Sequence, residues 1–285
     1  YGYPCIAHPV YSHLNIISLL SYSIYANHSV FTTVECEGFC LGSNDKGRIS
    51  GKLSNNILKD KHIIQIVNNA NIPYKILSAV CGFNYTLYLV SNGHTGDNSL
   101  VYSRINDKKD FLLSTTSHNP IKLFGGRLVS AAICSLGEII IIIDTSKILT
   151  LFLPNSENPV SIACCDKFII VVSSTGNIYE LTDFNQNNFI PISELEGKKI
   201  TYVSGSYEHV LAICDDGRVF CRGSNSSGQL GIGKDQFKVS KFTEILNLIL
   251  PIVISSASIS LNDFLITFAS NLFLSSEFCF LNNLL

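Results

Sequence analysis

VSGSYEHVLAICDDGRVFCRGSNSSGQLGIGK, running from Val203 to Lys234, is the stretch on which the reading of this chain turns. His209–Cys214 (HVLAIC) is short, apolar and compact, the pattern of a mostly buried strand. Asp216-Gly217 follows as a two-residue hairpin signal, because a type I′ turn needs positive φ at both central residues. Arg218–Arg222 alternates polar and apolar side chains and predicts the returning strand. Gly223, Gly228, Gly231 and Gly233 then fall within eleven residues. Left-handed backbone costs a residue with a Cβ roughly 1–2 kcal/mol. The run therefore predicts a loop shaped by glycine, with Gly228 and Gly231 in conformations closed to other residues.

The same order recurs. Shifted back by 181 residues, the stretch falls on Asn27–Lys52, with His28 on His209 and Gly42-Ser43-Asn44 on Gly223-Ser224-Asn225. Gly47 matches Gly228, while Cys36 stands where the hairpin glycine belongs and Ser50 replaces a loop glycine. The clearest repeats thus span residues 22–52 and 203–234. Looser copies lie between and beyond them. Ala79–Gly93 has Tyr85 in the histidine position and an Asn92-Gly93 turn. Glu138–Ser146 pairs with Lys147–Phe152, and Phe168–Gly176 turns at Thr175-Gly176. Asp263–Ser270 pairs with Asn271–Ser275. The histidine positions become 28, 85, 138, 168, 209 and 263, and the interval of 30 is short for a complete unit.

The order G-x-x-x-H, apolar strand, D-G, strand, G-S-N-x-x-G-Q-L-G-x-G resembles the repeat of the regulator of chromosome condensation family. Gly205, His209, Gly217, Gly223, Asn225, Gly228, Gln229, Leu230, Gly231 and Gly233 carry the resemblance. Arg222 stands where the family usually has tryptophan, and the chain contains no tryptophan.

Between the hairpins lie Asn119–Leu123 (NPIKL), Asn158–Ile162 (NPVSI) and Phe189–Ile192 (FIPI), each a proline beside an apolar run. Proline suits the first or edge strand of a sheet. Four short strands per unit, repeated about six times, is the signature of an all-β fold, a β-propeller, with five to seven blades as the range. One unit cannot bury both faces of its sheet, so neighbours must stack. The expectation is a single propeller domain over 1–285, with residues 1–20 supplying an outer strand that closes the ring. Asn92–Asn119 reads as a long loop off the second unit that carries binding specificity. Ser240–Leu250 is the best helix candidate.

Hydrophobic residues make up 46% and charged residues 15%, which argues for a buried core and against disorder. A net charge of −2 provides no general attraction to nucleic acid. The chain has no methionine, even at position 1, which suggests a fragment or a processed product. No leader peptide is visible, and the apolar runs are far shorter than a membrane span needs. The ten cysteines lie largely in strand candidates without zinc spacing, which favours a reducing compartment, nucleus or cytoplasm.

Several chemical motifs have plainer readings. Gly228–Lys234 (GQLGIGK) approaches a phosphate loop, but Asp235 sits where a hydroxyl belongs and no clean helix follows. His28 and His209 recur at equivalent places, as residues serving each blade's geometry would. Asp215-Asp216 lies on a turn, where Asp is ordinary. Cys164-Cys165 has no evident cation to lower a thiol pKa. No catalytic residue, cofactor site or metal site is assigned, so no cofactor is expected.

The residues predict a rigid disc that binds macromolecules through its loops. The resemblance implies guanine-nucleotide exchange on a small GTPase of the Ran type, with chromatin as a further partner and no membrane. An exchange factor has no chemical step of its own. It binds the nucleotide-free GTPase and, by linkage, weakens nucleotide binding by the same factor. The alternative is a non-catalytic scaffold, since the same repeats occur in ubiquitin-ligase subunits and membrane-traffic regulators.

Overall fold

The fold is described from a computed structural model, covering residues 16–18, 28–33, 36, 38–42, 64–65, 74–92, 96–104, 111–113, 119–144, 147–233 and 236–246. These residues form twenty strands in five antiparallel four-stranded sheets. The first blade contains β1 (Ile16–Ser18), β2 (His28–Thr33), β3 (Gly38–Gly42) and β4 (Ile64–Gln65). The second contains β5 (Tyr74–Cys81), β6 (Tyr85–Asn92), β7 (Asn98–Arg104) and β8 (Phe111–Leu113). The third contains β9 (Pro120–Gly125), β10 (Ser130–Cys134), β11 (Ile139–Asp144) and β12 (Lys147–Leu151). In the fourth are β13 (Pro159–Cys164), β14 (Ile169–Ser173), β15 (Ile178–Leu181) and β16 (Ile190–Pro191). The fifth has β17 (Ile200–Ser206), β18 (His209–Cys214), β19 (Val219–Ser224) and β20 (Lys238–Glu244). Within every blade the strands pair in chain order. The first strands of successive blades meet, β5 against β9, β9 against β13 and β13 against β17, so they ring the axis of a β-propeller.

The strand alternation explains why the blades stack. In β14 all five residues are buried, because Ile169 and Val171 point into the seam with the third blade while Ile170 and Val172 point into the seam with the fifth. The same split sends Ala131 and Ile133 of β10 one way and Ala132 and Cys134 the other. A blade is therefore apolar on both faces, and only neighbouring blades can cover it.

Three hairpins share one turn. At Cys134–Gly137, Ser173–Gly176 and Cys214–Gly217 the glycine N–H donates to the carbonyl three residues back, at 3.0–3.1 Å. The glycines have φ of +85°, +91° and +87°. In each, the first residue of the turn also donates its own N–H to the carbonyl of the residue following the glycine, at 2.9 Å. Only the glycine is left-handed, so this is a type I turn with a glycine bulge and not the type I′ turn expected at Asp216-Gly217. Cys36 takes the glycine's place in the first blade with φ +62°. Its carbonyl accepts from Ile76 N–H of the next blade at 2.9 Å, as Gly176 accepts from Ile200 N–H at 3.0 Å.

Pro120 and Pro159 open the innermost strands of their blades and Pro191 lies on an outermost one, as proline's missing donor requires. Other expectations are corrected. Asn92–Asn119 is no free loop: it contains β7 and β8, with Leu100 and Tyr102 buried. The pairing Ser91↔Asn98 leaves more than two residues for the connection after Asn92. Ser240–Glu244 lies in β20 and is not helical: the strand pairs with β19, and Val239 and Phe242, three residues apart, are buried in different clusters. Ile16–Ser18 pairs with β2 as the first strand of the first blade, not as an outer strand of the last.

The repeat near 138 was out of phase, since β11 and β12 are the third and fourth strands of their blade. The backbone bond that marks the histidine position joins Gly82 to Tyr85, Gly126 to Val129 and Cys165 to Phe168. The positions are thus 28, 85, 129, 168 and 209, and the short interval disappears. The copy near 263 lies outside the described residues. Among the described residues no helix is long and apolar enough to cross a membrane.

Ile170 and Ile148 provide a direct check. Ile170→Ala empties a fully buried seam position and is expected to lower unfolding free energy by about 2–5 kcal/mol. Ile148→Ala, on an exposed part of β12, is expected to change it by no more than about 0.5 kcal/mol. Urea denaturation followed by circular dichroism measures both.

Candidate functional site

The loops joining first to second strands emerge together at one end of the ring. Phe83 N–H donates to Arg127 O of the next blade at 2.8 Å, and Asp166 N–H donates to Tyr207 O of the next at 2.8 Å. Arg127 ties four blades together. Its guanidinium lies 6.0 Å from the Phe83 ring centre and 5.0 Å from that of Tyr207. Its Nε donates to Asp166 Oδ2 at 2.8 Å and Nη2 donates to the same oxygen. Beside it, Lys167 Nζ donates to Glu208 Oε1 at 2.6 Å. Glu208 O accepts from Ser224 N–H at 2.9 Å, which joins this surface to the glycine-built loop of the fifth blade. Phe83 is 43% exposed, Tyr207 40% and Phe237 71%. The result is one loop-built face that carries open aromatic rings among internally matched charges.

Asn225 organises the glycine-built loop. It is buried; its Nδ2 donates to Gly233 O and Gln236 O at 2.7 Å, and its Oδ1 accepts from Leu230 N–H at 2.9 Å. Gln229 Oε1 accepts from Ser227 N–H at 2.8 Å. Gly228, Gly231 and Gly233 have φ of +78°, +69° and +86°, with open space where a Cβ would be. The demand on these three is conformational and includes no crowding. Gly223 differs. Its φ is +115°, and a Cβ there would overlap Glu208 O and lie 2.7 Å from His209 Cα.

His28 and His209 occupy matching places, His28 opposite Gly42 and His209 opposite Gly223. The position faces the next blade: His28 Nε2 shares a hydrogen with Thr86 Oγ1 at 2.9 Å. Tyr85, at the same position, donates its hydroxyl to Gly126 O at 2.9 Å or Val129 O at 3.1 Å. Gly205 pairs with Val210 at the start of the same hairpin, where a Cβ would lie 2.8 Å from His209 O. Asn44 and Gly47 lie outside the described residues.

Arg222, the residue in place of tryptophan, packs between the fourth and fifth blades. Its guanidinium lies 5.1 Å from the Phe168 ring centre and 5.0 Å from that of Phe242. Nη1 donates to Glu180 Oε2 at 3.0 Å, and Nη2 donates to Oε1. A planar cation can stack on rings and grip a carboxylate at the same time, so it seals the seam between the fourth and fifth blades. Nothing in residues 203–234 alone announces Glu180 or Phe168 as its partners.

The remaining motifs stay structural. A strand, β20, follows Gly228–Gly233 where a phosphate loop would need a helix. Asp216 is held by Arg218, whose Nε donates to it at 2.8 Å, so the turn's carboxylate is already engaged. Cys164 and Cys165 point into opposite seams, and burial pushes both thiols well up; it raises Cys40 and Cys81 to about 12. Neutral buried thiols are poor nucleophiles. The eight described cysteines are all free.

Burial lowers the His209 imidazole from 6.5 to about 4. The folded state thus binds the proton less well than the unfolded chain, so stability is whole above pH 6.5 and falls as pH drops toward 4. The loss reaches about 3 kcal/mol at most, and His209→Gln is expected to flatten that part of a stability–pH curve. A second comparison concerns the glycines. Gly231→Ala is expected to cost about 1–2 kcal/mol from φ alone, whereas Gly223→Ala must also move backbone and should lower the melting temperature further.

Three comparisons bear on identity. Residues 200–229 match the Regulator of chromosome condensation (RCC1) repeat. A 53-residue segment is 51% identical to the probable E3 ubiquitin-protein ligase HERC6 of Homo sapiens, covering 19% of this chain and 5% of that protein. Human WBSCR16 superposes with a TM-score of 0.60 at 14% identity, over 77% of this chain and 65% of that one. Prp20p of Saccharomyces cerevisiae superposes with a TM-score of 0.46 at 13% identity, over 78% of this chain and 76% of that one. With the repeated hairpin, the Asn225-centred loop and the stacked four-stranded blades, the match at 200–229 shows that the fifth blade carries a repeat of the regulator of chromosome condensation kind.

Proposed function

We propose that this propeller acts by binding a protein partner on the face formed by the loops around Phe83, Arg127, Asp166 and Tyr207. The carrying observation is the convergence of four blades on Arg127. It makes a pre-organised surface of exposed aromatic rings, the composition of interface anchors. The charges there are already paired, Arg127 with Asp166 and Lys167 with Glu208. That pattern favours a protein over a nucleic acid, which would need unspent positive charge.

The repeat family points first to a small GTPase of the Ran type, and the activity is then guanine-nucleotide exchange. Binding energy does the work: a surface that prefers the nucleotide-free GTPase must lower nucleotide affinity by the same factor. The second reading is a non-catalytic scaffold, favoured by the 51% identity to a segment of a probable ubiquitin ligase.

Release of a fluorescent guanine nucleotide from a Ran-type GTPase, with and without the intact chain, separates the two. Exchange predicts acceleration that Tyr207→Ala lowers at least tenfold, about 1.4 kcal/mol of transition-state binding. Binding without acceleration would leave the scaffold reading, and neither binding nor acceleration would remove the GTPase as partner.

A further inference from the structure

We infer that the mouth of the ring at Phe83, Arg127 and Tyr207 is a docking site for an apolar or aromatic side chain of a protein partner. This rests on the reading that the partner meets this face, and it names the chemistry of the contact. Three independent features point there.

The first is the sandwich itself. One guanidinium lies between two rings that come from the second and fifth blades, so the rings are held in position before any partner arrives. Each ring remains about two-fifths exposed. The second is charge. Asp166, whose side chain is only 7% exposed, takes two donors from Arg127 and so neutralises the cation at the centre of the patch. Lys167 is matched by Glu208. An uncharged partner group complements a neutral aromatic mouth, whereas a polyanion gains little from cations already paired. The third is backbone. Tyr207 is a non-glycine residue at φ +54°, a conformation that costs roughly 1–2 kcal/mol. Its carbonyl accepts the Asp166 N–H at 2.8 Å, which fixes the turn bearing the ring. An aromatic residue kept exposed at a strained position is a recurrent mark of a recognition surface.

The test uses the whole chain labelled with ¹⁵N and two named probes, phenol and a heparin tetrasaccharide, followed by amide chemical shifts. Phenol is expected to shift signals from residues 82–84, 126–128, 165–167 and 206–208 saturably, and heparin to leave them in place. Tyr207→Ala is expected to weaken phenol roughly two- to tenfold, the worth of one aromatic pair. Phe83→Ala serves as the second variant should the first fail to fold. Phenol binding elsewhere or nowhere overturns the proposal, and so does saturable heparin binding at these residues. Because no GTPase is present, a negative exchange assay with positive phenol mapping keeps the docking chemistry and removes only that partner. A positive exchange assay with negative mapping does the reverse.

Discussion

The second to fifth blades have two apolar faces each, and that constraint governs the rest. In a strand such as β14, alternate residues enter different cores: Ile169 and Val171 meet the third blade, Ile170 and Val172 the fifth. Burying one face would leave the other in water at about 25 cal/mol per Å² of apolar surface. The blades must therefore stack, and the seams between them hold the stability of the molecule. Small residues allow close approach in these seams. Ala131, Ala132, Ala163 and Ala212 sit fully inside, and buried cysteines serve there as small apolar groups.

The seams also have a polar grammar written at repeated positions. The histidine position of a blade faces the next blade, so His28 and Tyr85 both bridge forward, one through a ring nitrogen and the other through a hydroxyl. The turn residue after the second strand offers its carbonyl forward as well in the first and fourth blades, where it is Cys36 and Gly176. Conservation of place matters more than of residue type because the backbone sets the direction. Arg222 extends the principle: close to the Phe168 and Phe242 rings and paired with Glu180, it joins the fourth and fifth blades with a planar cation.

The proposed binding draws on rigidity. The loops between first and second strands are anchored by backbone bonds across the blades, so Phe83 and Tyr207 are presented with little freedom left to lose. Less conformational entropy is then spent when a partner arrives. The charges around Arg127 are matched within the surface itself, Arg127 by Asp166 and Lys167 by Glu208.

Local signals were enough to establish the repeat, the all-β class and the hairpins. Asp216-Gly217 and Thr175-Gly176 are turns because glycine alone takes positive φ freely, and Cys36 could be placed at a turn from alignment with Gly217. The same local reasoning misassigned Asn92–Asn119 and Ser240–Glu244. Strands β7 and β20 owe their state to pairing partners and to the burial of Leu100, Tyr102, Val239 and Phe242, none of which is visible in a window of sequence. The phase of the third blade was lost for a related reason. The run of isoleucines at 139–143 outweighed the quieter strand Ser130–Cys134, although the latter is the equivalent of His209–Cys214. The convergence of Phe83, Arg127, Asp166 and Tyr207 lay wholly beyond the sequence. These residues are about 40 positions apart from one to the next and meet only because the curvature of the ring turns successive loops toward one axis.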